Sequence, residues 1–138
     1  MIRTGIEQVC RSSLASLRGR RLGLLANQAS TDRHFTHSRD LLRRAYPDQL
    51  TCLFSPQHGF YSEKQDNMIE SDHAIDTETG LPVHSLYGET RKPSPAMFAD
   101  IDVLLVDGNP TATVDLWADA PAAIRLLVQG GRVVKRTL

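Results

Sequence analysis

Ser55-Pro56-Gln57-His58-Gly59-Phe60 places an amide and an imidazole directly after a short apolar run. Open α/β sheets bind ligands outside the carboxyl ends of their strands, so this is where a ligand would be hydrogen-bonded or a proton moved by the imidazole. A second polar pair, Asn27-Gln28, closes the earlier run Leu22-Gly23-Leu24-Leu25-Ala26. Two polar strand tips at one sheet edge converge on a shared pocket. The competing reading is that Gln57 and His58 only cap the turn at Gly59 and satisfy backbone groups. Convergence with Asn27 favours a ligand-facing role for Gln57, His58 and Asn27, and places Asp107, at the end of a later apolar run, on the pocket rim.

Residues 61–80 show no apolar periodicity but are rich in carboxylates and amides, including Glu63, Asp66, Asn67 and Glu70. An irregular stretch of this length inside a compact domain is usually functional or disordered. Met68 and Ile69 can pin it down, which favours an ordered site loop, although acid-rich runs are commonly solvated surface. Other chemistries fare worse. Of the five histidines only His34 and His37 are close, and no carboxylate completes a metal set at recognisable spacing, so no metal is expected. Ser55 and Ser85 lack the flanking glycines of a nucleophile elbow.

The elements that position these residues are legible from patterning. Ile6, Val9, Cys10, Leu14 and Leu17 recur at helical spacing after Thr4, predicting one helix stopped by Gly19. Leu22–Ala26 reads as a strand buried on both faces, His37–Tyr46 as an amphipathic helix ended by Pro47, and Leu50–Phe54 as the next strand. That is a βαβ crossover. Leu81–Leu86 is a short strand that Pro82 restricts to an edge or a strand start. Ser94 caps a short helix with Pro95 at its first position, Ile101–Val106 is a third buried strand, and 124–134 reads as a β-hairpin through Gly130-Gly131.

With 138 residues, 41% apolar and 23% charged, the composition is that of a soluble globular domain. Net charge is zero, with the arginines concentrated before Pro47. They are spread along two amphipathic segments without interleaved aromatics, which favours solvated helix faces over a nucleic-acid footprint. Cys10 and Cys52 are too few for a disulfide framework. No apolar run approaches the length of a membrane span or a leader, so the expectation is a cytoplasmic protein with no membrane partner.

From about Thr4 to Asp107 the chain resembles the exo-β-N-acetylmuramidases of peptidoglycan recycling, formerly a domain-of-unknown-function family. The matching segments are Gly23–Gln28, Leu53–Phe60 and Thr79–Gly88, extended by Pro93 and Asp102-Val103-Leu104. The resemblance implies a Rossmann-like N-terminal domain, joined in full-length members to a second domain with the sugar held between them. It also implies release of N-acetylmuramic acid from cell-wall fragments and no nucleotide cofactor; no Gly-x-Gly-x-x-Gly follows the first strand.

The chain departs from that pattern twice. Many members carry Glu where this chain has Gln57, and an amide cannot act as a general acid. The acid role then passes to Glu70, with Glu63 second, while His58 polarises or positions and Gln57 hydrogen-bonds the sugar. Glycosidases ordinarily use two carboxyl groups. Further, residues 103–135 look like the closing β segment of an imidazolonepropionase-related amidohydrolase, which brings no catalytic residue.

The expectation is therefore an α/β Rossmann-like three-layer domain with a mostly parallel sheet over 1–107, truncated relative to its family, and a β-hairpin tail of different origin over 108–138. It is a glycoside hydrolase module with Glu70, His58 and Gln57 catalytic, and with Asn27, Gln28, Glu63, Asp66, Asn67 and Asp107 binding a peptidoglycan-derived saccharide. No cofactor is expected. The alternative is a non-catalytic fragment that binds sugars or a partner, or self-associates through the incomplete face.

Overall fold

The strands are Leu22–Leu25 (β1), Leu50–Ser55 (β2), Ala74–Ile75 (β3), Pro82–Ser85 (β4), Val103–Val106 (β5), Leu126–Gln129 (β6) and Arg132–Arg136 (β7), of which β1 and β5 are continuous apolar runs. The computed structural model describes residues 4–12, 14–56, 59–62, 70–88, 91 and 93–106, and the backbone of 126–129 and 132–136. The strands make one sheet in the order β3-β4-β2-β1-β5-β6-β7. Pairings β4–β2, β2–β1, β1–β5 and β5–β6 are parallel, whereas β3 and β7 pair antiparallel at the two edges. Chain order runs outward from β1 through β2 to β4, then restarts on the other side with β5. This reversal is the doubly wound, Rossmann-like arrangement, with its switch point between β1 and β5.

Side-chain alternation along the strands builds two apolar layers. Leu22, Leu24, Leu53, Val103 and Leu105 pack with Val9, Leu17, Leu42 and Tyr46 on the helical face. Leu25, Cys52, Phe54 and Leu104 pack with Met97 and Phe98 on the other. Gly23 allows this second layer to close down, since a Cβ there would lie 2.9 Å from Ile101 Cδ1 and 3.2 Å from both Leu104 Cδ1 and Phe54 Cε2.

The first helix, Gly5–Ser12 (α1), begins with a capping box in which the Thr4 N–H donates to Glu7 Oε2 at 2.7 Å and the Glu7 N–H to Thr4 Oγ1 at 3.3 Å. It does not continue to Gly19. The Tyr46 hydroxyl donates to the Val9 carbonyl at 2.9 Å and accepts from the Leu14 N–H at 3.1 Å, which satisfies the backbone where the helix breaks. A 3₁₀ turn, Ala15–Leu17, then drives Leu17 into the core. Gly19, at φ 68°, serves the turn into β1.

The second helix, Ser38–Ala45 (α2), is capped by His37, whose Nδ1 accepts from the Arg39 N–H at 3.1 Å. Nε2 therefore carries the proton and donates to the Asn27 carbonyl at 2.8 Å, tying the start of α2 to the end of β1.

Two further expectations change. The 61–80 stretch is not wholly irregular, because β3 forms within it and takes the sheet edge, leaving β4 interior with Pro82 as its first residue. Ser94 makes no side-chain capping bond to the 3₁₀ turn Pro95–Phe98. The backbone of the C-terminal hairpin joins the main sheet, β6 beside β5 and β7 beside β6.

His84 lies between the Phe54 ring, at 5.1 Å, and the His73 ring, at 5.6 Å. Burial, and then the His73 charge, hold its pKa below the ordinary value. With the folded value the lower one, the neutral ring contributes stability that is complete above the unfolded value and lost as pH falls through the folded one. The His84→Gln variant should therefore show a flatter decline of thermal midpoint between about pH 7 and 5, the range around the ordinary imidazole value.

Candidate functional site

Among the described residues the most heavily hydrogen-bonded side chain is Arg39, in the first turn of α2 and only 3% exposed. Its Nε donates to Asp40 Oδ1 at 2.8 Å and its Nη2 to Asp40 Oδ2 at 3.2 Å and to Glu78. Nη1 donates to both Asp76 oxygens, at 3.3 and 3.2 Å, and to the Tyr61 hydroxyl. Asp76, just past β3, has a side chain with no exposed surface and also accepts from the hydroxyls of Tyr61 and Thr79. The cluster thus joins α2, the loop after β2 and the end of β3.

Burial pushes the Asp76 carboxyl upward, but hydrogen bonds from Thr79 and Tyr61 and the Arg39 charge outweigh it and hold the group below the usual carboxylate range. Burial opposes the Arg39 charge as well, and Asp40 and Asp76 more than restore it. The Tyr61 phenol is pushed up to about 12 by burial and by its bond to Asp76.

Beside this cluster, between the carboxyl end of β2 and the edge strand β3, lies a cavity of about 260 Å³ bordered by Ser55, Tyr61, Asp72, Ile75, Asp76 and Val83. It is slightly below the roughly 300–1,000 Å³ of small-molecule sites and suits a single ring-sized group. A larger groove, about 640 Å³, runs along α2 past Arg43, Arg44 and Asp48 to Leu50. It reaches the amino end of β2, away from the edge where such sheets hold ligands.

The anticipated convergence of strand ends is present in the backbone, since Leu25 aligns with Phe54 and the Ala26 N–H donates to the Phe54 carbonyl at 3.1 Å. Gln28, exposed, accepts from the Ser62 hydroxyl, so the loops after β1 and β2 meet. Asn27 is half-buried, and its Oδ1 accepts from the Ala29 N–H at 2.9 Å in a local turn. Neither residue lines the cavity. Glu70 is exposed and lies 3.9 Å from Arg91; it immediately precedes Ser71 and Asp72, which do line it. Gln57, His58, Glu63, Asp66, Asn67 and Asp107 lie outside the described residues.

Sequence reasoning missed Arg39, Tyr61, Asp72 and Asp76. Tyr61 was detectable as an aromatic directly following the Gln57-His58-Gly59-Phe60 motif. Asp76 was detectable as the start of a turn, because the Gly80 N–H donates to its carbonyl at 2.7 Å and Gly80 adopts φ 72°. Arg39 contradicts the reading of the helix arginines as solvated.

Among the described residues, no group of three or more His, Cys, Asp or Glu is arranged to hold a metal ion, and His37 is spent on its cap. Cys52 is buried, which pushes its thiol up to about 12. No helix among these residues is long and apolar enough to cross a membrane.

Sheet order, layers and edge cavity together define a Rossmann-like α/β domain. The family model for the N-terminal region of the exo-beta-N-acetylmuramidase NamZ matches residues 22–109, and the chain belongs to this family. It is 38% identical over 112 residues to the peptidoglycan beta-N-acetylmuramidase NamZ of Bacillus subtilis (strain 168), covering 81% of this chain and 27% of that protein. A crystal structure of a DUF1343 family protein from Bacteroides fragilis NCTC 9343 matches with TM-score 0.64 and 40% identity over 78% of this chain and 26% of its own. A second from the same organism matches with TM-score 0.54 and 27% identity over 76% and 25%. The chain spans about a quarter of the length of these relatives. The likeness of 103–135 to an amidohydrolase tail gains no support from these matches.

Proposed function

We propose that this chain is a glycoside hydrolase module of exo-β-N-acetylmuramidase type that holds the N-acetylmuramic acid end of peptidoglycan-derived saccharides at the carboxyl edge of its sheet. The observation that carries the reading is a ring-sized cavity between the carboxyl end of β2 and the edge strand β3, in a chain of this family. Glu70, next to the cavity-lining Ser71 and Asp72, is the proposed general acid, with Gln57 and His58 positioning the sugar. Asn27, Gln28 and Asp107 border the same edge, and Glu63, Asp66 and Asn67 contact the saccharide from the loop after β2. No nucleotide cofactor takes part, and the setting is cytoplasmic. Residues 108–138 are a tail of separate origin whose hairpin adds β6 and β7 to the sheet.

A second reading, binding without turnover, is favoured by Gln57, an amide that cannot act as a general acid or base. In it the exposed edge recruits a second copy or another chain. Incubation with a chromogenic β-glycoside of N-acetylmuramic acid separates the two. Release of chromophore that falls at least tenfold in Glu70→Gln supports the hydrolase. Binding by calorimetry without release supports the second reading, and release unaffected by Glu70→Gln removes that residue as the acid.

A further inference from the structure

Resting on the saccharide reading, we infer that Tyr61 is the stacking platform of the cavity, its ring presented to the apolar face of the sugar by the buried Arg39–Asp76 pair. Large apolar side chains left open to solvent are few among the described residues, and two of them, Tyr61 at 43% and Ile75 at 62%, border this one cavity. The polar end of Tyr61 is already committed. Its hydroxyl donates to Asp76 and accepts from Arg39, whose guanidinium carbon also lies 5.9 Å from the ring centroid. Phe60 meets the ring edge-on, with centroids 5.3 Å apart.

A phenol fixed at its oxygen by a buried ion pair and braced by a neighbouring ring has little torsional freedom left to lose on binding. What it offers a ligand is its ring, whose negative face attracts the weakly positive C–H groups lining one side of a pyranose. The ligand class is thus a sugar with axial C–H groups on one face, and Arg39 and Asp76 act as positioning residues through Tyr61. The neighbouring polar groups Ser55 and Asp72 remain to take hydroxyls.

The test is saturation-transfer NMR and titration of the full chain with methyl β-N-acetylmuraminide. Strong transfer to the ring C–H protons of one sugar face is expected in the unaltered protein. Tyr61→Ala should weaken binding at least tenfold, whereas Tyr61→Trp, which retains a ring, should stay within about threefold. Tyr61→Phe should remain folded and bind a few-fold more weakly, because the ring persists while its anchor is lost; it serves as the informative variant if Tyr61→Ala fails to fold. Binding by the unaltered chain that is equally strong in Tyr61→Ala, or transfer confined to the acetyl and lactyl groups, overturns the stacking role and leaves the saccharide reading standing. No binding by the unaltered chain overturns both.

Discussion

Replacing Arg39 by methionine is expected to lower the unfolding free energy by about 3–5 kcal/mol, the usual effect of removing one member of a buried ion pair. The carboxylate of Asp76 would keep the hydroxyls of Tyr61 and Thr79 but lose the cation 3.2 Å away, with no surface exposed to recruit water. Urea unfolding measures the loss. The partner determines how it should be read. In Arg39→Met with Asp76→Leu, both charges are gone and most of the loss should be recovered, because the penalty belongs to the stranded charge more than to the lost attraction. The acid side supplies an independent check. Asp76 has a folded pKa below its unfolded one, so its ionised form contributes stability that is complete above the unfolded value and disappears as pH falls through the folded one. Asp76→Asn should therefore remove part of the stability loss below about pH 4, the ordinary carboxylate range. An equally steep acid decline in that variant, or an Arg39→Met protein of unchanged stability, would mean that the cluster is not formed in solution.

How this cluster escaped a reading of the sequence shows where such reading stops. The strands were legible because their period is local. Leu22–Ala26, Leu50–Phe54 and Ile101–Val106 are continuous apolar runs, and parallel strands covered on both faces look like that. The crossover from β1 through α2 to β2 followed from their spacing. The first helix was extended past its true end because Leu14 and Leu17 keep helical spacing, although the residue that ends the helix, Tyr46, is more than thirty positions away. Arg39 belongs to the same class. Within Ser38–Ala45 it looks like Arg43 and Arg44, which are exposed, and only the strap carrying Asp76 and Glu78 distinguishes it. Long-range polar partners leave no periodic trace. β3 was missed for a related reason, since its two residues are specified by pairing with Val83 and Pro82 and not by their own pattern.

Installing the missing carboxyl is expected to have the largest effect on chemistry: Gln57→Glu should raise hydrolysis of a chromogenic N-acetylmuramic acid glycoside by about 10²–10⁴-fold, the range over which a positioned acid or base acts. Retaining and inverting glycosidases both divide their work between two carboxyl groups, one to protonate the leaving oxygen and one to attack or to activate water. On the proposed reading Glu70 takes the first task, and position 57 holds an amide that cannot take the second. If those two positions share a site, adding Glu70→Gln to Gln57→Glu should remove at least tenfold of the rate, because the proposed acid is then lost. Steady-state rates for the four combinations, at substrate concentrations spanning KM, separate this from a binding effect, which would move KM and leave kcat unchanged. If Gln57→Glu leaves kcat at its starting value while the glycoside still binds, the carboxyl at position 57 is not what limits turnover, and the saccharide-binding reading is favoured over the hydrolase.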